Sequence, residues 1–78
     1  MPNPASGEAF LTAALPTGGS TRVELLDPLG RTISVIDEKS ASAGYHRWAL
    51  PVDELRSGLY LVRLQQGGST RVVRFTKE

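Results

Sequence analysis

Apolar and polar residues alternate along short stretches of this chain, as they do in half-buried β-strands. In residues 22–25, Val23 and Leu25 fall on one face of an extended segment and the charged residues on the other. Residues 32–35 repeat this alternation. Residues 59–62 (Leu-Tyr-Leu-Val) do not alternate, which predicts a central strand with one face on the core and the other also covered.

Short stretches rich in glycine, proline, serine and aspartate separate these segments from one another. The segments span residues 9–15, 21–26, 32–36, 45–50, 59–64 and 70–76. Because a strand plus its turn takes about 8–12 residues, this spacing predicts an all-β sandwich rather than helices. Residues 27–30 (Asp-Pro-Leu-Gly) match a type I turn and predict a hairpin between the second and third segments.

One sequence occurs twice, since Gly-Gly-Ser-Thr-Arg-Val occupies both residues 18–23 and residues 67–72. The identity stops after these residues, whereas a structural repeat would extend over a whole supersecondary unit. We interpret both copies as the same kind of glycine turn leading into the same kind of strand.

The chain has 78 residues and no cysteine, and its formal net charge is +1. At this size folding buries only about 60% of the surface that the unfolded chain exposes, so we expect one domain with a thin core. Such a core leaves no room for a deep catalytic pocket. Residues 1–7 (Met-Pro-Asn-Pro-Ala-Ser-Gly) predict a linker from a longer parent protein, and residues 8–78 form the predicted domain.

The nine basic residues are interspersed with the eight acidic ones. A nucleic-acid binder needs a stripe of positive charge, and only residues 71–77 lean that way, so we predict no nucleic-acid partner. No apolar run approaches the about 18 residues of a membrane-spanning helix, so we predict no transmembrane segment. Residues 1–7 also lack the charge and apolar stretch of a signal peptide.

Catalytic and metal-binding groups are sparse. His46 is the single histidine, and no Gly-x-Ser-x-Gly nucleophile elbow occurs. One imidazole cannot supply the three or four ligands of a zinc site. The acidic pairs at residues 37–38 and 53–54 could offer oxygens to calcium, but they fall in predicted turns, where acids are common. We therefore predict no catalytic residue, no metal site and no cofactor.

Trp48 and Tyr45 are the two residues that could stack on a sugar ring. Because side chains alternate along a strand, Trp48 shares a face with His46, whereas Tyr45 points to the other face. Two interpretations stay open for Trp48, which either packs in the core or contacts carbohydrate together with Tyr45.

Five motifs follow one another along nearly the whole chain. They are Pro-Asn-Pro-Ala-Ser-Gly at residues 2–7, Val-Glu-Leu-Leu-Asp-Pro-Leu-Gly-Arg at 23–31, Ala-Gly-Tyr-His at 43–46, Leu-Arg-Ser-Gly-Leu-Tyr-Leu-Val-Arg-Leu at 55–64, and Gly-Gly at 67–68 followed by the basic segment 71–77. In this order they resemble the C-terminal sorting domain of the type IX (Por) secretion system. The resemblance implies an immunoglobulin-like antiparallel β-sandwich of about six to seven short strands. It also implies a non-catalytic signal that directs an exported parent protein across the outer membrane.

The resemblance assigns roles to particular residues. A structural motif is formed by Gly30, Gly44, Gly58 and Tyr60. Tyr60 also lies in a sequence similar to the tyrosine corner of immunoglobulin-like domains, where the hydroxyl bonds to upstream backbone. The recognition signal is formed by Gly67, Gly68, Arg71, Arg74 and Lys77, with Arg74 where the family usually has lysine.

The resemblance also implies partners and a route. The partners are the type IX secretion machinery, a sortase-like surface peptidase that cuts around or before residues 3–7, and an N-terminal catalytic or adhesive domain of the parent. The route runs through the periplasm of a Gram-negative bacterium to the cell surface or the medium. An alternative function is an accessory β-sandwich that attaches the parent to polysaccharide or to the cell surface through Trp48 and Tyr45.

Residues 71–77 are expected to form an edge strand. Such a strand carries unpaired backbone groups that a partner strand can bind, which suits a signal read by strand addition. The alternative is that its basic residues only discourage aggregation between edges.

Overall fold

The computed structural model describes residues 9–78, which form six β-strands and no helix. The strands are β1 (Ala9–Leu15), β2 (Gly19–Leu26), β3 (Thr32–Ala41), β4 (Gly44–Leu50), β5 (Gly58–Gln66) and β6 (Ser69–Lys77). Each predicted segment forms a strand, so the all-β prediction is confirmed. The predicted linker, residues 1–7, with the cleavage region inside it, lies outside the described residues.

The strands form two antiparallel sheets that face each other in a sandwich-like arrangement. The first sheet pairs β1 with β4, and the second has the order β3-β2-β5-β6. The predicted hairpin of β2 and β3 is present, and β5 lies between β2 and β6, as predicted for a central strand. Its outer face is less covered than the sequence predicts, because Leu59 is 41% exposed.

The turn between β2 and β3 is built around Asp27. The N–H of Gly30 donates to the carbonyl of Asp27 over 2.9 Å, which closes the turn. One carboxylate oxygen of Asp27 accepts the N–H groups of Leu29 and Arg31, each at 2.9 Å. The backbone N–H of Arg31 thereby lowers the pKa of Asp27 below its ordinary value. Gly30 has a φ of +89°, a conformation that favours glycine.

Strand β3 is longer than the sequence predicts. Residues 37–44, which are polar or small, predict a turn, yet β3 continues to Ala41 and leaves a short connection to β4. Charged residues suit this part of the strand because β3 lies at the edge of its sheet, where its side chains reach solvent. Glu38, for example, pairs with Arg22 directly across the sheet.

The core lies between the two sheets and draws on four strands. Its buried cluster contains Leu11 and Leu15 from β1, Val23 and Leu25 from β2, Trp48 from β4, and Val62 and Leu64 from β5. Strand β6 adds no residue to this cluster and contributes only Phe75, which is partly buried. The edge strand to which the resemblance assigns the signal is therefore peripheral to the core.

Candidate recognition surface on the terminal strand

The residues of the predicted signal lie on β6 or in the turn that leads into it. Strand β6 pairs with β5 along its whole length, from Ser69 opposite Gln66 to Lys77 opposite Gly58. The other edge of β6 has no strand beside it among residues 9–78. Gly67 begins the tight turn between the two strands with a φ of +58°, which a residue with a Cβ rarely adopts.

Side chains along β6 alternate between the two faces of the sheet. Arg71 lies opposite Leu64 and Val73 opposite Val62, so both are on the inner face with the core residues of β5. Arg74 lies opposite Leu61 on the outer face. The fold therefore does not gather the predicted basic residues into a single patch.

The basic residues of β6 differ in what they contact. Arg71 Nη2 donates to the carbonyl of Ala14 in β1 over 3.4 Å, and Lys77 Nζ donates to the carbonyl of Val52 over 2.6 Å. Arg74 is exposed on the outer face, and its guanidinium makes no hydrogen bond or ion pair within residues 9–78. Arg71 and Lys77 thus tie the inner face of β6 to its neighbours, and Arg74 is the basic side chain that points away from them.

Most of β6 is accessible to solvent on both faces. Seven of its nine residues are exposed, and Val72 and Val73, which point to opposite faces, are 53% and 48% exposed. Arg71 and Val73 on the inner face are both exposed, so the rest of the described domain leaves much of this face open. Near its end, Phe75 stacks on Tyr60 with the ring centroids 5.8 Å apart.

The residues of the predicted structural motif lie apart from β6. The hydroxyl of Tyr60 donates to the carbonyl of Arg56 over 2.8 Å, the contact that a tyrosine corner makes. The motif glycines, Gly30, Gly44 and Gly58, all have positive φ angles and lie in or next to turns.

Trp48 and Tyr45 do not share a surface. Trp48 is 8% exposed and belongs to the core cluster, with its ring stacked on His46 at 5.7 Å. Its Nε1 donates to Oδ2 of Asp37 over 2.9 Å. Tyr45 is 81% exposed on the opposite face of β4. Of these two rings only that of Tyr45 is exposed, so the pair forms no joint platform for a sugar.

The two copies of Gly-Gly-Ser-Thr meet at one end of the sandwich. Residues 16–20, which join β1 to β2 and include the start of β2, and residues 66–71, around the β5–β6 turn, line a common open groove of about 520 Å³. Arg71 is the charged residue in this lining. The sequence shows the repeated motif but not that the fold brings its copies together.

A buried ion network on the outer face was missed at the sequence level. Glu24 is 3% exposed, and its Oε1 accepts Arg63 Nε at 2.9 Å and Nη2 at 2.6 Å. Arg22 Nε lies 3.1 Å from the other carboxylate oxygen, which also accepts the Thr32 hydroxyl at 3.4 Å. Burial acts to raise the pKa of Glu24, but the hydrogen bonds from Arg63 and Arg22 outweigh it and lower the pKa below its usual 4.5.

Within residues 9–78, no group of three or more His, Cys, Asp or Glu side chains could hold a metal ion. This part of the chain also contains no helix long and apolar enough to cross a membrane. The sequence pattern described as the secretion system C-terminal sorting domain matches residues 1–78. Comparisons with curated proteins and with solved structures gave no match.

Proposed function

Since the chain belongs to the secretion system C-terminal sorting domain family, we propose that β6 is the part of it that the type IX secretion machinery reads. The family match indicates a C-terminal sorting signal for type IX secretion, and hence a protein passed to the cell surface or outside. Domains of this family are in general non-catalytic, and we propose the same for this chain.

The exposure of β6 carries this proposal. An edge strand with a free ladder can accept a strand of a partner, so that backbone hydrogen bonds supply affinity and alternate side chains supply selectivity. Within the part of the chain that the structure describes, strand β6 has such an edge, and its side chains are accessible on both faces. Strand β3 also lies at an edge, but it carries acidic as well as basic residues.

Within β6 we assign the first contact with the machinery to Arg74. Arg71 and Lys77 already donate to backbone carbonyls of this domain, whereas Arg74 points into solvent. A guanidinium suits bidentate contact with a carboxylate, so the fitting partner carries an acidic side chain beside its own sheet edge. Gly67 and Gly68 shape the turn from which β6 starts.

We propose the following route for the parent protein. A catalytic or adhesive parent reaches the periplasm of a Gram-negative bacterium with a separate N-terminal signal, and the machinery recognises β6 there. A sortase-like surface peptidase then cuts around or before residues 3–7. The parent is released or attached to the cell surface. The family match supports the sorting step, and the later steps are tested by locating the cut in the exported product.

The function is tested with a periplasmic reporter fused upstream of residues 1–78 in a host that has the type IX machinery. We expect the reporter to reach the cell surface or the medium, and deletion of residues 71–78 to hold it in the periplasm. Unchanged export after the deletion would contradict the proposal.

The deletion removes the backbone ladder of β6 together with its side chains, so a point variant is needed to isolate the contribution of one residue. Arg74→Glu reverses a charge on the outer face of β6, and Lys39→Glu makes the same change on the exposed edge strand β3. We expect Arg74→Glu to reduce export severalfold and Lys39→Glu to leave it unchanged, with both domains folded by circular dichroism. Equal export of the two variants would argue against the role of Arg74.

A further inference from the structure

We infer that β6 separates from β5 as a unit while the other five strands stay folded, and that the machinery receives it as a free extended segment. This inference rests on the proposed function and adds how its signal is presented. The partner it implies is an open sheet edge that takes over the backbone ladder now supplied by β5.

The composition of the core supports separation. All buried residues of the core cluster come from β1, β2, β4 and β5, and β6 adds to them only the partly buried Phe75. Loss of β6 would therefore expose little of the core. Free energies of local opening in proteins range from near zero up to that of global unfolding, and segments with few buried apolar contacts open first.

Strand β5 keeps a partner when β6 leaves. Its residues Leu61 to Gln66 stay paired with β2, from Leu26 opposite Leu61 to Thr21 opposite Gln66. The side chains of Val62 and Leu64 remain in the core cluster. The five remaining strands thus keep both sheets of the sandwich.

Among residues 9–78, few contacts outside the ladder hold β6 in place. The hydrogen bonds of Arg71 and Lys77 and the stack of Phe75 on Tyr60 join its inner face to the rest of the domain. The ladder itself is exchangeable, because a new partner edge can offer the same number of backbone hydrogen bonds. The net free energy of such an exchange is small compared with the gross energy of the bonds.

The turn before β6 suits a hinge. Gly67 and Gly68 are exposed, and no atom lies within 4 Å of the position that a Cβ would take on either of them. The backbone can therefore rotate there without displacing a packed side chain. Once released, β6 presents Arg71, Val73 and Phe75 on one face, which fits a partner edge with an apolar groove and a nearby carboxylate.

A disulfide that joins β5 to β6 tests this inference, and the chain has no cysteine of its own to interfere. Leu59 and Thr76 are exposed partners across these strands, far from the hinge. The matched control joins Ser20 to Ser40, which are exposed partners across β2 and β3. Both pairs are changed to cysteine in the reporter fusion, and disulfide formation is verified by electrophoresis without reductant.

We expect L59C/T76C to be exported at least about tenfold less than S20C/S40C, because a covalent link prevents β6 from leaving. Equal export of the two linked proteins, whether both are exported or both are retained, would overturn the inference. The corresponding single-cysteine variants are expected to be exported normally. If they and the unmodified fusion stay in the periplasm, the proposed function itself fails.

Hydrogen exchange of the isolated 78-residue chain gives an independent test. We expect the amides of β6, and those of β5 that bond to β6, to exchange at least about tenfold faster than the amides that join β2 to β5. The same exchange rate in both ladders would mean that β6 opens only when the whole domain unfolds, and would overturn the inference.

Discussion

The indole of Trp48 donates a hydrogen bond to the carboxylate of Asp37 over 2.9 Å and so joins the two-stranded sheet to the edge of the four-stranded sheet. Most contacts between strands join hydrogen-bonded neighbours within one sheet, and few others connect β3 to β4. Trp48 also belongs to the core cluster. We therefore expect this residue to have a structural role.

Replacing Trp48 tests that role, and Tyr45, which is exposed in the same strand, gives the comparison. We expect Trp48→Ala to lower the free energy of unfolding by about 3–5 kcal/mol, through loss of buried area and a cavity. Tyr45→Ala removes an exposed ring and should change it by less than about 0.5 kcal/mol. Urea unfolding followed by far-ultraviolet circular dichroism measures both. Similar small effects of the two changes would contradict the assignment of Trp48 to the core.

The ion network around Glu24 predicts how stability depends on pH. The native pKa of Glu24 lies below its usual 4.5. The ionised carboxylate therefore adds to the free energy of unfolding above pH 4.5, and this stabilisation is lost as the pH falls through the lowered native pKa. Glu24→Gln should remove this part of the stability that the wild type loses in acid. At neutral pH the change should lower the free energy of unfolding by about 1–3 kcal/mol, because Arg63 loses a charged acceptor.

Asp27 serves as the comparison, because its pKa is also lowered but it lies in a turn. Asp27→Asn should remove a separate part of the stability that the wild type loses in acid. Urea unfolding at a series of pH values from 7 down to 3 measures the wild type and both variants. A Glu24→Gln protein with the wild-type pH profile would show that the network does not act as described.

The hydroxyl of Tyr60 can be removed without changing the ring. Tyr60→Phe keeps the stack on Phe75 but leaves the carbonyl of Arg56 without its 2.8 Å donor. We expect a loss of about 1 kcal/mol in the free energy of unfolding, the usual net value of such a hydrogen bond. Thermal and urea unfolding would detect it. An unchanged stability would mean that solvent replaces the hydroxyl at no cost.

Two glycines with different backbone conformations give a further prediction. Gly30 has a φ of +89°, so Gly30→Ala should destabilise the domain by roughly 1–2 kcal/mol. Gly68 does not have a positive φ, and a Cβ there would meet no atom within 4 Å. Gly68→Ala should therefore be neutral or stabilise by up to about 1 kcal/mol. If both changes had the same effect, the turn at Gly30 would not require glycine.

Local features of the sequence determined the number of strands, their approximate bounds and the β2–β3 hairpin. The alternation in residues 22–25 and the turn at residues 27–30 act through near neighbours, so both can be recognised without the fold. The opposite directions of Trp48 and Tyr45 also follow from the period of a strand. The length of β3 could not be predicted, since polar residues 37–40 suit an edge strand as well as a turn.

Only the tertiary structure decided which residues meet across the sheets. Glu24 and Arg63 are 39 residues apart, and they form an ion pair because β2 and β5 are neighbours in a particular register. In the same way, Arg71 and Lys77 reach the backbone of other segments, whereas Arg74 faces solvent. The exposure of β6 follows from a two-stranded sheet lying over a four-stranded one, and strand order is set by long-range packing that no local pattern specifies.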